Sequence, residues 1–256
     1  MGQVHSVQTF DQQLYAIAKQ VEWAIPETFR NHTVRLGGFH TLSCYIAAIG
    51  KLWGDGGLKD LLVDYSVYAA GTVDQMLNGK EFNRPTIAFV LAYEALNVSW
   101  LSAFFSWCNE NDLIKSFSDN FWSDLSELAV TFPSTPSTNE TRNVTTSAID
   151  NYMLPLMDDF RKWGCSESPT FKFWDMFLNA IEIMLQNIRS ERDGLWKLHL
   201  SSVSAMLPFM FVTNRVSNSR WLPVYILDMF NLSPATNDML QTHKPLHLNF
   251  GTFYEA

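Results

Sequence analysis

Two residues stand where α/β folds usually place their chemistry: Asp11, in QTFDQQLY, and His40, in VRLGGFHT. Asp11 follows a β-prone run and precedes a helical repeat of Leu14, Ile17, Ala18 and Val21. Two roles fit that position. Asp is among the best helix N-caps, because its carboxylate accepts a hydrogen bond from a first-turn N–H, and spacing alone favours this role. A carboxylate at the C-terminal end of a strand also stands where α/β sheets gather ligands and metal ions. His40 follows the pair Gly37-Gly38, which lets backbone or ligand approach closely. A lone histidine there is more often a hydrogen-bonded structural residue than a catalytic one. Its interest comes from position: if the two strands are parallel neighbours, Asp11 and His40 share one sheet edge and face one another.

No other pattern competes with that pair. The chain has no GK[ST] phosphate loop, GxGxxG, HExxH or GxSxG. His243 and His247 are four apart, but Pro245 between them forbids the helix that would align them as ligands. Asp175 and Glu182 lie seven apart on one helical pattern, where they decorate its rim. Cys44, Cys108 and Cys165 are odd in number and widely spaced, which fits neither a disulfide framework nor a zinc site and points to a reducing compartment. The N-terminus lacks a basic segment followed by an apolar one, so the expected location is intracellular, nuclear or cytoplasmic, rather than secreted. The Asn-x-Ser/Thr matches are accordingly incidental. Gly2 with Ser6 fits a loose myristoylation pattern, with no second membrane signal beside it.

The elements that must position Asp11 and His40 follow from periodicity. Residues 4–10 and 34–40 read as strands, each followed at once by a helical pattern: Leu14 to Val21, then Leu42, Tyr45, Ile46, Ile49 and Trp53. Short joints between such elements predict a parallel βαβ unit. Two strands make a poor sheet, so others are missing or supplied elsewhere. GDGG at 54–57 is a turn signal, and short helices follow within 58–65 and 71–82, the latter ended by Asn78-Gly79. Arg84-Pro85 opens a long apolar helix whose residues 86–108 could span a bilayer by length. Glu94 and Asn97 at its middle favour a buried or interfacial core helix, and no membrane span is expected. Residues 131–147, rich in Ser, Thr and Pro, are the one clear seam. Helices follow at 148–163, at 171–190 with the stripe Trp174, Phe177, Leu178, Ile181, Met184 and Ile188, at 195–212, and at 220–232 with Pro223 in the first turn.

Composition bounds the partners. With 256 residues, 47% hydrophobic, the chain can bury a real core. A formal charge of −8 opposes the phosphate attraction on which non-specific DNA binding rests.

The segments TFDQQLYAIAKQV, VRLGGFHTLSCYIAAIGKLWGDGGLKDLL, MLNGKEFNR and LWKLHLSSVSAMLPFMFVTNRVSNSRWLPVY together resemble a set of transposable-element-derived proteins of animal genomes. The likeness covers most of the chain, and LGGFH and the HL…MLP…LPVY blocks are its most specific parts. That family is similar to cut-and-paste DNA transposases, in which a ribonuclease-H-like sheet carries the acidic residues and is interrupted by a large helical insertion. The resemblance implies that Asp11 is the second metal-binding carboxylate of the ancestral site and that His40 is its histidine. It implies magnesium as the ancestral cofactor and DNA as the ancestral substrate. Such chemistry needs two divalent ions to clamp the attacking and leaving oxygens, and one carboxylate cannot hold both. The family's first acidic residue lies on a strand upstream of Asp11, and its last on a helix downstream of the segment that Gly251–Phe253 resembles. Neither falls within these residues, and Phe89 stands where relatives tend to carry a histidine.

The combined expectation is a mainly α protein with a small α/β part: a partial ribonuclease-H-like βαβ unit followed by a large helical insertion. The divisions are a core over 1–57, helices over 58–130, a linker over 131–147, helices over 148–232 and an irregular tail over 233–256. The expected function is that of a transposase-derived fragment, catalytically inactive as it stands and without a cofactor of its own. Two alternatives stay open. One is a domesticated helical module that binds a protein partner or itself through the apolar faces of 86–108 and 171–230. The other is an active nuclease completed by oligomerisation, or by recruiting Asp55, Glu182 or Asp228.

Overall fold

Strands β1 (Ser6–Phe10) and β2 (His32–Leu36) pair in parallel, from Ser6 opposite His32 to Phe10 opposite Leu36. The connection between them runs through α1 (Gln12–Ala24) and the short α2 (Pro26–Phe29), so the expected strand–helix–strand unit forms. The computed structural model describes residues 5–80, 82–117, 121–123, 126 and 153–242. The linker at 131–147, the His243/His247 pair, Gly2 and the Gly251–Phe253 segment lie outside the described residues.

One boundary differs from expectation in a way that matters for the site. The second strand ends at Leu36, and Gly38 already opens α3 (Gly38–Trp53), so His40 sits in the first turn of a helix rather than at a strand end. The ladder closes there because the Gly37 amide donates to the Phe10 carbonyl at 2.7 Å. From Leu42 onward the apolar residues recur at helical spacing, and Leu42, Tyr45, Ile46, Ile49 and Trp53 are all buried.

A second difference concerns which side of α1 faces inward. Its apolar row, Leu14, Ile17 and Val21, is exposed at 52%, 56% and 40%, while Gln12, Tyr15 and Lys19 are buried. The inversion has specific causes. Tyr15 packs edge-on against Trp221 and Tyr225, and Lys19 forms ion pairs with Glu22 and with Asp228 at 2.8 Å.

After α3, Gly54–Leu58 make one wide helical turn, in which Gly57 takes a φ of 112° that only glycine adopts readily. Helices α4 (Lys59–Asp64), α5 (Ala70–Leu77) and α6 (Asn83–Glu110) follow, as the periodicity predicts. Beyond the linker come α7 (Leu154–Glu167), α8 (Pro169–Asp193), α9 (Trp196–Val212), α10 (Val216–Phe230) and α11 (Pro234–Thr242). Pro223 lies inside α10, not in its first turn, because the helix starts earlier, with the Ser219 amide bonded to Arg215 O at 2.8 Å. Residues 234–242, placed in an irregular tail on sequence, are helical. The Ser233 hydroxyl accepts from the Thr236 amide at 3.2 Å, and Pro234 occupies the first turn.

The molecule is therefore mainly α with a small parallel α/β part. It divides into two units, one made of Met1–Ala92 with Asn179–Ala256 and the other of Tyr93–Leu178, so the boundaries fall inside α6 and α8. The first unit holds the sheet, α1 to α5 and α9 to α11. In the second, Trp100, Phe104, Cys108, Phe160 and Leu178 form the core, with Trp100 edge-on to Phe160 at 5.0 Å. Arg161 there pairs with Asp175 at 2.9 Å. Helix α6 is long and apolar enough to cross a bilayer, with mean hydropathy 1.5 over a window that is 28% buried. Asn97 spends its amide on the Tyr93 carbonyl of its own helix at 2.9 Å.

Within the first unit, α3 and α5 approach so closely that a Cβ on Gly50 would collide with the backbone of Leu77. Backbone cannot swing aside as a flexible side chain can. Gly50→Ala is therefore expected to lower stability by about 1–3 kcal/mol, measured as a shift in the urea midpoint. An unchanged midpoint would show that the two helices separate freely.

Candidate functional site

At the edge where β1 and β2 end, a cleft of about 650 Å³ opens. Asp11, Gln12, Gln13 and Ala16 line it from the start of α1, His40 from α3, and Ser217 and Trp221 from α10. The parallel register puts Phe10 beside Leu36, which brings the start of α1 next to the start of α3. The two residues singled out on sequence thus face one cleft.

Asp11 is exposed, in extended backbone, and its Oδ1 accepts the Leu14 amide at 2.9 Å. It is the N-cap of α1, and its second oxygen is not used by that bond. His40 Nε2 lies 3.1 Å from Gln12 Oε1 and 3.7 Å from Cys44 Sγ, one helical turn on. Gln12 is only 5% exposed, and its Nε2 lacks a hydrogen-bond partner. Burial pushes the Cys44 thiol up, against the opposing influence of Arg215 and Asn218, so it favours the neutral form over a nucleophilic thiolate. The cleft therefore offers an acidic oxygen, amide donors, an imidazole and an indole wall. Among the described residues, Asp11 is the one carboxylate that lines it. No group of three or more His, Cys, Asp or Glu side chains among the described residues could hold a metal ion. The other acids considered are placed elsewhere: Asp228 pairs with Lys19, Asp55 lies in the wide turn after α3, and Glu182 lies on α8. Phe89 is fully buried in the core.

Beneath the cleft lies a cluster that sequence reasoning missed. Arg35 of β2 reaches both oxygens of Glu191 on α8, at 3.1 and 3.4 Å. His199 of α9 places Nδ1 2.7 Å from Glu191 Oε1 and Nε2 2.9 Å from the Tyr225 hydroxyl on α10. The indole of Trp196 stacks on the His199 ring at 5.4 Å. Arg35, Glu191, His199 and Tyr225 are each at most 3% exposed. The Glu191 carboxylate also occupies the space that a Cβ on Gly38 would need, which explains the glycine at the first position of α3. The signal was present in pieces: an arginine between Val34 and Leu36 in a buried strand, LHL and LPVY. Only the fold shows that VRLGG, LHL and LPVY meet at one buried carboxylate.

Burial and charge oppose one another there. Burial drives Glu191 toward the neutral acid, but the neighbouring His199 and the Arg35 guanidinium outweigh it and hold the carboxyl below its usual range. His199 is held below the ordinary histidine range, because full burial outweighs the attraction of Glu191. Tyr225 is pushed up to about 12, chiefly by burial. The consistent arrangement is a neutral His199 whose Nδ1 proton faces the Glu191 carboxylate, with Nε2 against the Tyr225 hydroxyl.

Two outcomes follow for stability. Glu191→Gln leaves Arg35 buried without a counter-charge and should cost about 3–5 kcal/mol in chemical unfolding. For pH, the sign comes from His199: the unfolded chain takes up a proton near pH 6.5 that the folded chain resists. Stability is thus complete above about pH 6.5 and falls as pH drops below it, with Glu191 adding a loss at lower pH still. A flat melting temperature from pH 8 to 5 would contradict this arrangement.

A family model described as a domain of unknown function, DUF8702, matches residues 1–246, and the chain belongs to that family. No curated protein and no solved structure matches it.

Proposed function

We propose that this member of the DUF8702 family derives from a metal-dependent DNA phosphoryl-transfer enzyme and keeps the place of its active site without the catalysis. The observation that carries this reading is the cleft itself. Asp11 and His40 converge at the end of a parallel strand pair, yet among the described residues Asp11 is the single carboxylate lining the cleft, and it serves as a helix cap. A two-ion mechanism requires several oxygen ligands around each metal, and one exposed carboxylate does not supply them. The net charge of −8 likewise gives no general attraction for DNA. The resemblance of the FDQ, LGGFH and LPVY segments to transposase-derived proteins supplies the ancestry. On this reading Asp11 persists because it caps α1, and Gly38, Arg35 and His199 persist because they hold the core together.

A second reading, a helical module that binds protein, is favoured by Phe211, Val212 and Val216. These flank the turn between α9 and α10 and are 57%, 72% and 67% exposed.

Asp11 separates the two roles cleanly, since Asn caps a helix about as well as Asp but is a poor ligand for magnesium. The purified chain, incubated with supercoiled DNA and Mg²⁺ or Mn²⁺, is expected to leave the DNA intact. Asp11→Asn should leave stability unchanged, whereas Asp11→Ala should cost about 1 kcal/mol. Metal-dependent nicking that disappears in Asp11→Asn would overturn this reading in favour of an active nuclease.

A further inference from the structure

The free side of the sheet supports an inference independent of the cleft. Strand β1 pairs only with β2 among the described residues. Ser6 N donates to Asn31 O, and Gly37 N donates to Phe10 O. In a parallel ladder the bonding alternates, so Ser6, Gln8 and Phe10 serve β2 while Val7 and Thr9 direct their N–H and C=O groups outward. Gln8 and Thr9 are exposed. Helix α1, which starts directly after this strand, turns Leu14, Ile17 and Val21 to solvent, with Ile25 just past its end at 49% exposure. A bare strand edge, followed in the chain by a helix with an exposed apolar row, is a surface built for covering.

We propose that a second copy of this chain covers it, with β1 pairing to β1 in antiparallel fashion about a two-fold axis. Two features select this occupant. The first is self-complementarity, which a two-fold interface demands. When SVQTF is laid antiparallel on itself and centred on Gln8, Val7 falls opposite the partner's Thr9, and Thr9 opposite its Val7. These are the residues whose backbone groups point outward, so each such pair exchanges both of its hydrogen bonds. The second feature is charge. On a chain of net charge −8, the span from Ser6 to Ala24 holds only three ionised side chains. Lys19 and Glu22 pair with one another, and Asp11 faces the cleft. Two copies thus meet through a neutral face, where most of the remaining surface would set like charges against each other. Pairing turns two strands into a continuous four-stranded sheet and places both α1 helices on the same face of it.

Sedimentation velocity of the intact chain over a range of micromolar concentrations tests this. The expected species is a dimer of the 29.3 kDa chain that dissociates on dilution. Ile17→Glu combined with Val21→Glu adds like charge to both α1 helices on their shared face of the sheet, and Thr9→Pro removes an outward N–H without touching the β2 ladder. Each should weaken the dimer by about tenfold or more, while Tyr65→Ser, just past the end of α4 and 78% exposed, should leave it unchanged. Hydrogen exchange of the wild-type chain gives a readout without substitution: Val7 and Thr9 amides should be protected when concentrated and exchange rapidly when dilute. A monomer throughout, or a dimer indifferent to the α1 and β1 substitutions with no concentration-dependent protection at Val7 and Thr9, would overturn the proposal.

Discussion

The carboxylate of Glu191 is the point on which the first unit turns. It is almost completely buried, and it gathers Arg35 from β2 and His199 from α9, with Tyr225 of α10 joined through the histidine. It also presses against the first residue of α3. Five elements from two separate stretches of the chain therefore converge on one charged group. Burying a carboxylate is costly unless each oxygen is matched, and an ion pair in a core adds little net stability over an apolar one. What such a group contributes is selectivity. A slipped strand or a rotated helix leaves a bare charge in the interior, so the arrangement that satisfies Glu191 excludes its near neighbours.

The cleft inherits its geometry from that constraint. Glu191 holds the start of α3 through Gly38, and two residues further on α3 presents His40. Tyr225 packs edge-on against Tyr15, so α1 is seated against α10, and Asp11 and Trp221 come to line opposite sides of one opening. Lys19 strengthens the same seam. Burial pulls its amine down, but the hydrogen bonds to Asp228 and Glu22 outweigh that and hold it protonated. The polar groups of α1 face inward because α10 and the buried quartet offer them partners. Its leucine, isoleucine and valine are left outside for want of an apolar surface to meet.

This is also why the sequence was legible in some places and not in others. Asp11 as a cap, the parallel βαβ unit, the long apolar helix from Arg84-Pro85 and the stripe on α8 are local signals, and each formed as periodicity and capping rules predict. The inward face of α1 was not legible, because hydrophobic periodicity assumes that the apolar side of a helix is the buried one. Lys19 and Gln12 reverse that assumption through partners more than two hundred and nearly thirty residues away, respectively. Arg35, Glu191 and His199 gave no local sign of belonging together, since no spacing rule relates a strand residue to two helices 156 and more residues downstream. Pro223 misled in the opposite sense: proline favours a first turn, but the packing of Trp221, Leu222 and Tyr225 holds α10 together on both sides of it.

The LGGFH segment joins these threads, because it is where a catalytic and an architectural explanation make the same residues necessary. A glycine before a candidate active-site histidine suggests room for substrate. In this protein the room at Gly38 is already filled by Glu191, so that glycine answers to the core and not to a ligand. Gly37 serves the sheet, by closing the ladder onto Phe10. Of the five residues, only His40 turns a polar group toward the cleft, and there it meets Gln12. Leu36 is buried in the core, and Phe39, though 48% exposed, rests its ring on Phe82. The LGGFH segment is then accounted for by the fold, and any chemistry at His40 has to be argued from the groups that line its cleft.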